Sequence, residues 1–560
     1  MHGNDTITSV LIIGAGPIGL SLALELAWRG VDCTIIDQTD GSIDLPRGAM
    51  VSVRTMEFCR RWGIAERVAL AGFPQDYKLN MVYCTSLAGH LLERDDYPSQ
   101  RDKETPLSST EKRTWCPQLL FDPLLARVVA EYDCVTMRYL CRLDSFEQSA
   151  DEVVAHTVDG RTGERQTIRA RYMVACDGAG SFVRETAGIR QSGRVLGYSI
   201  NIFFCSSDLL RAHDKGEAER YLFVSTEGTW GNITVVDGRE SWRLTLIGSS
   251  DKMDLSQFDA AARVRRAIGR NDVAFDLIAV KPWRRSELMA DRFRVGRIFL
   301  AGDAAHTMSP TGGFGMNTGI IDAVNLGWKL QAMLDGWGGE ALLDSYEIEQ
   351  RPVVERNALA STHNFDLWVG VREMCAHVMD DTPEGERARR AVGTRLKESL
   401  RSEWECLGVM LGHRYEASPI CVPDGTPPPP DPVSEYIPTA RPGSRAPHAW
   451  LADGRSTLDL FGRGFVLLRF GKDPADAGSL IAAAGAQCVP LEVVDIDDPQ
   501  TNALYASRLV LVRPDGHVAW RADDAPQDAD RLVRVVRGAV ASAGDPERRQ
   551  SRTEIPMAAG

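Results

Sequence analysis

The chain has 560 residues, of which 44% are hydrophobic and 25% are charged, and its net charge is −13. This length allows two to four domains with a sizeable core. The acidic balance argues against nucleic acid or an anionic membrane as the main partner. The longest apolar run, Val10–Leu24, is broken by Gly14, Gly16, Pro17 and Gly19. A buried strand and a helix are therefore expected there, and not a membrane span.

The cysteines and the first residues indicate the compartment. The 12 cysteines are scattered without a CxxC pair, and the 10 histidines show no ligand spacing. This usage favours reduced thiols and indicates neither a disulfide framework nor a metal site. The opening residues, MHGNDTITS, place no basic segment before the apolar run, so a secretory signal is not expected. We predict a cytoplasmic protein without a bound metal.

A strand, a glycine turn, a helix and a second strand open the chain in that order. Ser9–Gly14 is predicted to form the first strand, GAGPIG at 14–19 the turn, and Val31–Asp37 the second strand. Because an acid closes the second strand, this order matches the dinucleotide-binding fingerprint. The fingerprint predicts a bound nucleotide but does not separate NAD from FAD.

Each residue of the fingerprint has an expected task. Gly14 permits the tight turn, and Gly16 lets the backbone approach a pyrophosphate. Gly19 lets the helix and the strand pack closely. The carboxylate of Asp37, at the end of the second strand, can bind ribose hydroxyls.

Four polar side chains beyond the fingerprint are further candidates. Arg47 and Arg54 could contact a phosphate or a ribose, and solvated charge at a helix end is the alternative. Gln118 opens a predicted helix and could face the cofactor. Asp177 follows a predicted strand, Arg171–Val174, and stands beside glycines, for which a simple turn is the alternative.

The stretch Gly296–Leu330 organises the chain. A short buried strand is predicted to end at Gly302, and a loop with Pro310 leads into a helix from about Gly315. Asp303 can accept hydrogen bonds from hydroxyls, and a helix start offers free N–H groups and a positive dipole end. Such a unit suits a polyhydroxylated and partly anionic ligand such as a reduced flavin. An ordinary strand–turn–helix unit is the alternative.

The remaining segments are read from composition and alternation. Residues 190–290 alternate as an antiparallel sheet does, and such a sheet could wall a substrate pocket. Pro423–Pro447 is rich in proline and is predicted to be a linker. Strands and helices alternate beyond it, which predicts a small separate α/β domain.

Three motifs now stand in one order: GAGPIG at 14–19, ACDGAGSFVR at 175–184, and the stretch at 296–330. Together they resemble the motifs of the class A, single-component FAD-dependent aromatic hydroxylases. The C-terminal module has RAPH at 445–448 and DLFG at 459–462. It resembles the thioredoxin-like domain of the phenol, 3-(3-hydroxyphenyl)propionate and polyketide hydroxylase branch. The resemblance indicates the fold and the cofactor specifically, but it gives little information about the substrate.

The resemblance implies which residues contact FAD. In that family the first motif binds the pyrophosphate, the acid after the second strand binds the adenosine ribose, and the last motif follows the ribityl chain and the isoalloxazine ring. The residues expected to bind the cofactor are Gly14, Gly16, Pro17, Ile18, Gly19, Asp37, Arg47, Arg54, Gln118, Asp177, Gly302, Asp303, Pro310, Gly313, Gly315, Met316 and Asn317. Pro310, on the loop at the peroxide side of the flavin, is also the candidate catalytic residue. No catalytic base is assigned.

The resemblance also implies the fold class, which is α/β. A Rossmann-like FAD-binding domain of the GR2 type is expected at 1–190, with an excursion at 73–110, and at 291–420 together with further helices. An antiparallel-sheet substrate domain is expected at 191–290, a linker at 421–447, a thioredoxin-like domain at 448–545 and a disordered tail at 546–560. The thioredoxin-like domain has only Cys488 and lacks CxxC, so it is expected to be structural or to form the contact of a homodimer.

The implied activity is that of a monooxygenase. It would use NADPH or NADH and O2 to hydroxylate an aromatic, phenolic or polyketide-like small molecule through a flavin C4a-hydroperoxide. Residues 47–53 lack the acid that phenol hydroxylases carry there, which argues against a simple-phenol mechanism with that base. Two alternatives remain: a Baeyer–Villiger oxygenation of a ketone on the same fold, and a non-catalytic flavin-binding or redox-sensing protein.

Overall fold

The structure, a computed structural model, describes residues 6–43, 45, 48–249, 255–256 and 258–540. Its helices are α1 (Pro17–Trp28), α2 (Val53–Arg61), α3 (Ala65–Ala69), α4 (Gln118–Val129), α5 (Phe182–Thr186), α6 (Ala260–Ile268), α7 (Phe314–Leu334), α8 (Glu340–Val369), α9 (Pro383–Trp404), α10 (Leu407–Leu411), α11 (Gly478–Ala486), α12 (Pro499–Tyr505) and α13 (Ala529–Val536). Its strands are β1 (Thr6–Ile13), β2 (Cys33–Ile36), β3 (Met50–Val51), β4 (Met81–Cys84), β5 (Leu91–Asp95), β6 (Thr114–Trp115), β7 (Val135–Arg138), β8 (Cys141–Gln148), β9 (Val153–Asp159), β10 (Arg165–Ala175), β11 (Gln191–Cys205), β12 (Arg220–Ser225), β13 (Gly228–Val235), β14 (Ser241–Ser249), β15 (Asp276–Ala290), β16 (Arg294–Val295), β17 (Ile298–Leu300), β18 (His306–Thr307), β19 (Phe465–Phe470), β20 (Leu491–Ile496), β21 (Leu509–Val512) and β22 (Val518–Ala522).

The chain divides into two compact units. The first takes in Met1–Val324, Val354–Leu411 and Pro432–Tyr436. The second takes in Asn325–Val353, Gly412–Asp431 and Ile437–Gly560. Within the described residues, no helix is long and apolar enough to span a membrane.

A sheet with a parallel centre lies in the first unit. Its strand order is β16-β17-β10-β1-β2-β7, and the β8–β9 hairpin adds to β10. β1 runs parallel to both β10 and β2, and β10 runs parallel to β17. Val10, Leu11 and Ile12 of β1 are fully buried, as expected of a central parallel strand that is covered on both faces.

Helix α1 carries a buried charge within its apolar sequence. The carboxylate of Glu25 contacts Arg29 Nη2 and Arg61 Nη2, each at 2.8 Å, and Trp62 Nε1 at 2.6 Å. Burial alone would raise the pKa of Glu25, but Arg61 and Arg29 outweigh it and lower that pKa. Arg61 and Trp62 therefore fix α1 to the end of α2, and Arg29 adds a contact within α1.

A second sheet in the first unit confirms the antiparallel sheet predicted for the middle of the chain. Its order is β18-β15-β11-β14-β13-β12-β4-β5, and all of these pairs are antiparallel except β12 with β4. The excursion at 73–110 supplies β4 and β5. All four residues of β4 are buried, so the strand shows no alternation in its sequence that would reveal it. Ile233 and Leu244 of this sheet share a core with Val264 of α6.

The second unit contains a mixed four-stranded sheet, ordered β20-β19-β21-β22. β19 is parallel to β20 and antiparallel to β21. The rings of Trp328, Trp337 and Phe465 form one part of its core, with centroids 6.1–6.3 Å apart. The likeness of this unit to thioredoxin stays a prediction.

A buried carboxylate holds the second unit together. Glu349 of α8 is fully buried, and its oxygens contact Lys329 Nζ at 2.6 Å and Arg513 Nη1 and Nη2 at 2.6 and 3.0 Å. Ser418 Oγ donates a further hydrogen bond at 2.5 Å. Burial opposes ionisation, but the two cations outweigh it and lower the pKa of Glu349 to about 2. The ionised carboxylate thus joins four distant segments of the chain.

We predict that Glu349→Gln destabilises the protein by about 3–5 kcal/mol, because it leaves a buried lysine without its counter-charge. Urea unfolding at neutral pH measures the loss. Glu347→Gln is the matched control, since Glu347 pairs with Arg351 near the surface and its loss should cost less than about 1 kcal/mol. Equal unfolding midpoints for the two variants would contradict the prediction.

The same variant has an expected pH dependence. The folded pKa of Glu349 lies below its ordinary value of 4.5, so the stabilisation is complete above that pH and is lost as the pH falls toward about 2. The difference between wild type and Glu349→Gln should therefore shrink in acid.

Candidate active site

Four strand ends bring the sequence motifs and Asp37 to one edge of the parallel sheet. Ile13 of β1 is in register with Ile36 of β2 and with Ala175 of β10, and Ala175 is in register with Leu300 of β17. The residues that follow these four positions are therefore neighbours. A ligand of an open α/β sheet binds outside such carboxyl ends.

The glycine turn can form because Gly14 and Gly19 have no side chains. Gly14 has φ +103°, and a Cβ placed on it would lie 2.5 Å from the carbonyl oxygen of Cys176. A Cβ on Gly19 would lie 1.9 Å from the carbonyl oxygen of Gly14. Gly16 differs, because a Cβ there meets nothing within 4 Å. Open space in front of Gly16 is what close approach of a ligand to the backbone requires.

Pro17 and Ile18 begin helix α1 directly after this turn. Pro17 stands in the first turn of the helix, where its missing N–H costs nothing. Ile18 packs toward the last motif, since a Cβ on Gly302 would lie 2.8 Å from its Cγ1. The first and last motifs are thus in direct contact.

Asp37 braces the turn. Its Oδ2 accepts a hydrogen bond from Ala15 N at 2.7 Å, and its Oδ1 accepts bonds from Thr39 N at 2.8 Å and Thr39 Oγ1 at 2.7 Å. The side chain is half-buried. The structure therefore gives Asp37 a task within the turn itself, and its contact with a ribose stays a prediction.

Asp177 carries a carboxylate oxygen that the described residues leave unsatisfied. Its Oδ2 accepts a hydrogen bond from Val183 N at 3.2 Å, whereas Oδ1 is buried without a partner. Burial raises the pKa of Asp177, against the hydrogen bonds from Ser181 and Val183 that lower it. A buried carboxylate oxygen normally has a donor, so a ligand hydroxyl would suit this position.

Asp322 of α7 forms the hydrogen bonds that hold the loop after β17. Asp322 Oδ2 accepts a hydrogen bond from Gly302 N at 2.9 Å and lies 2.7 Å from His306 Nε2. Both side chains of this pair are buried. The side chain of Asp303 is exposed at the same loop. The sequence sets His306 beside Asp303, but the structure pairs it with Asp322.

Two left-handed glycines lead from Pro310 into α7. Gly312 has φ +91° and Gly313 has φ +69°, and Gly313 N donates to Pro310 O at 3.0 Å. The N–H of Gly312 donates to Glu403 Oε1 at 3.2 Å. The helix begins at Phe314, one residue before the predicted start. Pro310 is exposed, and Gly315 and Met316 are half-buried.

Asn317 is occupied by protein contacts on both sides of its amide. Its Oδ1 accepts from Ser52 N and Thr55 Oγ1, each at 2.8 Å. Its Nδ2 donates to Met50 O at 3.0 Å and to Gly313 O at 2.8 Å. Asn317 thus ties β3 and the start of α2 to the first turn of α7, and its contact with FAD stays a prediction.

The remaining candidates separate into three cases. Arg54 is buried in an ion pair with Glu57 at 2.8 Å and lies 4.5 Å from the ring of Phe58, so it supports the packing of α2. Gln118 Oε1 accepts a hydrogen bond from Gly48 N at 3.0 Å, so it has a partner within the protein. Arg47 lies outside the described residues. No group of three metal ligands occurs among the residues that are described.

We predict different outcomes for alanine at two glycines of the turn. Gly19→Ala should lower the melting temperature of the apoprotein and its FAD content, because its Cβ collides with the carbonyl oxygen of Gly14. Gly16→Ala should leave the apoprotein melting temperature unchanged, because its methyl group meets no protein atom, and should raise the Kd for FAD by at least about fivefold if the pyrophosphate binds there as expected. Differential scanning fluorimetry and flavin titration measure the two effects. A Gly16→Ala protein with wild-type affinity for FAD would contradict the placement of the pyrophosphate.

We predict that Asp322→Asn costs about 1–3 kcal/mol of stability and weakens FAD binding, because the buried Gly302 N–H and His306 lose the carboxylate that they share. Asp335→Asn is the control, since Asp335 lies exposed at the end of the same helix and accepts from Gln331. Thermal melting of apoprotein and flavin titration measure both variants. Indistinguishable behaviour of the two would argue against the bracing role.

The geometry fits FAD in three respects. Open space faces the backbone of Gly16. The unsatisfied Oδ1 of Asp177 can accept a hydrogen bond from a hydroxyl. The amino end of α7, with its positive dipole, follows the loop of Gly312 and Gly313 and favours an anionic group.

Comparisons with known proteins agree with this fit. The FAD binding domain family matches residues 7–361, and the aromatic-ring hydroxylase C-terminal family matches residues 439–543. Tetracenomycin B2 monooxygenase-dioxygenase of Streptomyces olivaceus is 32% identical over 94% of this chain and 97% of its own length. 2,4-Dichlorophenol 6-monooxygenase of Cupriavidus pinatubonensis is 30% identical over 93% of this chain and 94% of its own length.

Solved structures give the same result. The rebeccamycin biosynthetic enzyme RebC with reduced flavin has a TM-score of 0.89 and 42% identity, covering 96% of this chain and all of its own. The monooxygenase PieE in complex with FAD and substrate has a TM-score of 0.84 and 31% identity, covering 95% of this chain and 98% of its own. Neither the Baeyer–Villiger alternative nor the non-catalytic one gains support from these relatives. The chain belongs to the FAD-binding family of aromatic-ring hydroxylases and is an FAD-dependent monooxygenase.

Proposed function

We propose that this enzyme uses NADPH or NADH and O2 to hydroxylate a polycyclic aromatic compound of the polyketide type. The observation that carries the proposal is the meeting of the three motifs at one sheet edge, with Asp177 Oδ1 left for a ligand. One relative is named for tetracenomycin B2, which supports the polyketide type, and another is named for 2,4-dichlorophenol, which supports only an aromatic ring. FAD, when bound, accepts hydride and activates oxygen.

In this proposal the protein's own residues position the cofactor and stabilise its charge. The backbone N–H groups of the turn at Gly16 would hold the pyrophosphate, and Asp177 would accept a hydrogen bond from a cofactor hydroxyl. The loop from Pro310 to Gly313 would contact the ring of the cofactor, and Glu403 holds that loop through a hydrogen bond from Gly312 N. The positive end of α7 favours an anionic reduced ring.

The choice of electron donor and the compartment are part of the proposal. The sequence has no second dinucleotide fingerprint, so NADPH or NADH would bind transiently and leave after reduction. All 12 cysteines are free thiols, which supports a reducing cytoplasm. A homodimer stays a prediction, and light scattering of the FAD-loaded protein would test it.

We predict that an aromatic substrate accelerates reduction of the bound flavin by NADPH or NADH at least about tenfold, because a filled site aligns donor and ring. Anaerobic stopped-flow absorption follows the flavin band with and without a panel of phenols, phenolic acids and polycyclic polyketides. Mass spectrometry after aeration should show one added oxygen in the compound that accelerates reduction. Oxidation of NADPH and NADH without any oxygenated product from the panel would contradict the proposal.

A further inference from the structure

Arg285 of β15 is a buried cation beside the loop that carries Pro310. Only 3% of its surface is exposed. Its Nη1 donates to Ser309 Oγ at 2.6 Å and to Thr311 Oγ1 at 3.0 Å, the residues on either side of Pro310. Both hydroxyl-bearing residues are buried as well. The guanidinium thus reaches the loop that is proposed to face the cofactor ring.

No carboxylate of the described residues pairs with this guanidinium. The acid that acts on it electrostatically is Glu403. The oxygens of Glu403 are already occupied, because they accept from Arg220 Nη1 at 2.8 Å, Trp368 Nε1 at 2.7 Å and Gly312 N. Burial outweighs the attraction of Glu403 and lowers the pKa of Arg285 to about 10, so the side chain remains cationic at neutral pH. A buried charge without a paired counter-charge is costly.

One edge of the guanidinium remains available. Nε and Nη2 have no hydrogen-bond partner among the described residues. Both atoms keep some exposure to solvent. Two rings flank the group, with the centroid of Phe365 at 4.0 Å and that of Trp283 at 5.0 Å. These rings and the two hydroxyls restrict its rotation. The Nε–Nη2 edge of an arginine is a planar pair of donors that matches the two oxygens of a carboxylate.

We propose that the Nε–Nη2 edge of Arg285 binds a carboxylate of the substrate, so that the enzyme acts on aromatic carboxylic acids. This inference rests on the proposed function, since it names the substrate class of the same site. A carboxylate there would supply the missing counter-charge and place the attached ring system beside the loop of Pro310. Arg285 is then a residue that determines specificity, and it takes no part in proton or electron transfer.

Matched acid and amide probes test the proposal on the FAD-loaded protein. The pairs are 3-hydroxybenzoate with 3-hydroxybenzamide, 3-hydroxy-2-naphthoate with 3-hydroxy-2-naphthamide, and indole-2-carboxylate with indole-2-carboxamide. Flavin difference spectra give each Kd. Wild type should bind the acid of at least one pair about tenfold or more tighter than its amide.

Three variants assign that preference to one side chain. Arg285→Gln should lose the acid preference at least about tenfold, and Arg285→Lys should recover only part of it, because an ammonium keeps the charge but not the planar donor pair. Arg284→Gln is the matched control, since the neighbouring Arg284 is exposed, and it should keep the wild-type preference. FAD content and melting temperature are measured on every preparation.

Several outcomes would overturn the proposal. One is a wild type that prefers no acid in any pair, which decides the matter even if Arg285→Gln fails to fold. Another is Arg285→Gln with an unchanged preference. Competition by inorganic phosphate that disappears in Arg285→Gln, without an acid preference, would assign the site to a phosphate of the electron donor instead. If flavin reduction and oxygenation of neutral compounds persist in these cases, the proposed function stands and only the substrate class is wrong.

Discussion

Close approach of backbone to backbone at the glycine turn is the constraint on which the site depends. The turn at Gly14 lies so near the end of β10 that a side chain there would overlap the carbonyl of Cys176. Gly19 meets Gly14 in the same way, and Ile18 packs on Gly302. Because these contacts leave no room for side chains, the first motif lies directly against the residues that follow β10 and β17.

Much of this arrangement could be predicted from the sequence, because it follows from local rules. Alternation and apolar runs identified the strands that end at the motifs, and the glycine spacing placed the turn between β1 and α1. The parallel pairing of β1, β10 and β17, which the structure shows, then places Gly14, Asp177 and Gly302 at one edge. What the fingerprint could not reveal is that Asp37 and Asn317 already hold hydrogen bonds within the protein. Residue type and spacing identify a position, whereas partners depend on the packed fold.

The residues that the sequence did not reveal act over long separations. Asp322 reaches Gly302 from 20 residues away, and Glu403 reaches Gly312 from 91 residues away. Arg285 contacts Ser309 across 24 residues. The one signal in the sequence for such residues is a charged side chain within an apolar segment. Asp322 in α7 is the residue that shows it. This signal does not say which backbone group the charge will satisfy, since only the tertiary fold decides that.

The position of Cys176 determines the reactivity of its thiol. Its carbonyl lies under the glycine turn, and its thiol stands beside Asp177 at the sheet edge. Burial, and then the charge of Asp177, raise the pKa of this thiol well above its ordinary value. Thiolates and not thiols react with hydrogen peroxide. The Cys176 thiol beside the glycine turn is therefore held in its protonated form, which peroxide oxidises only slowly.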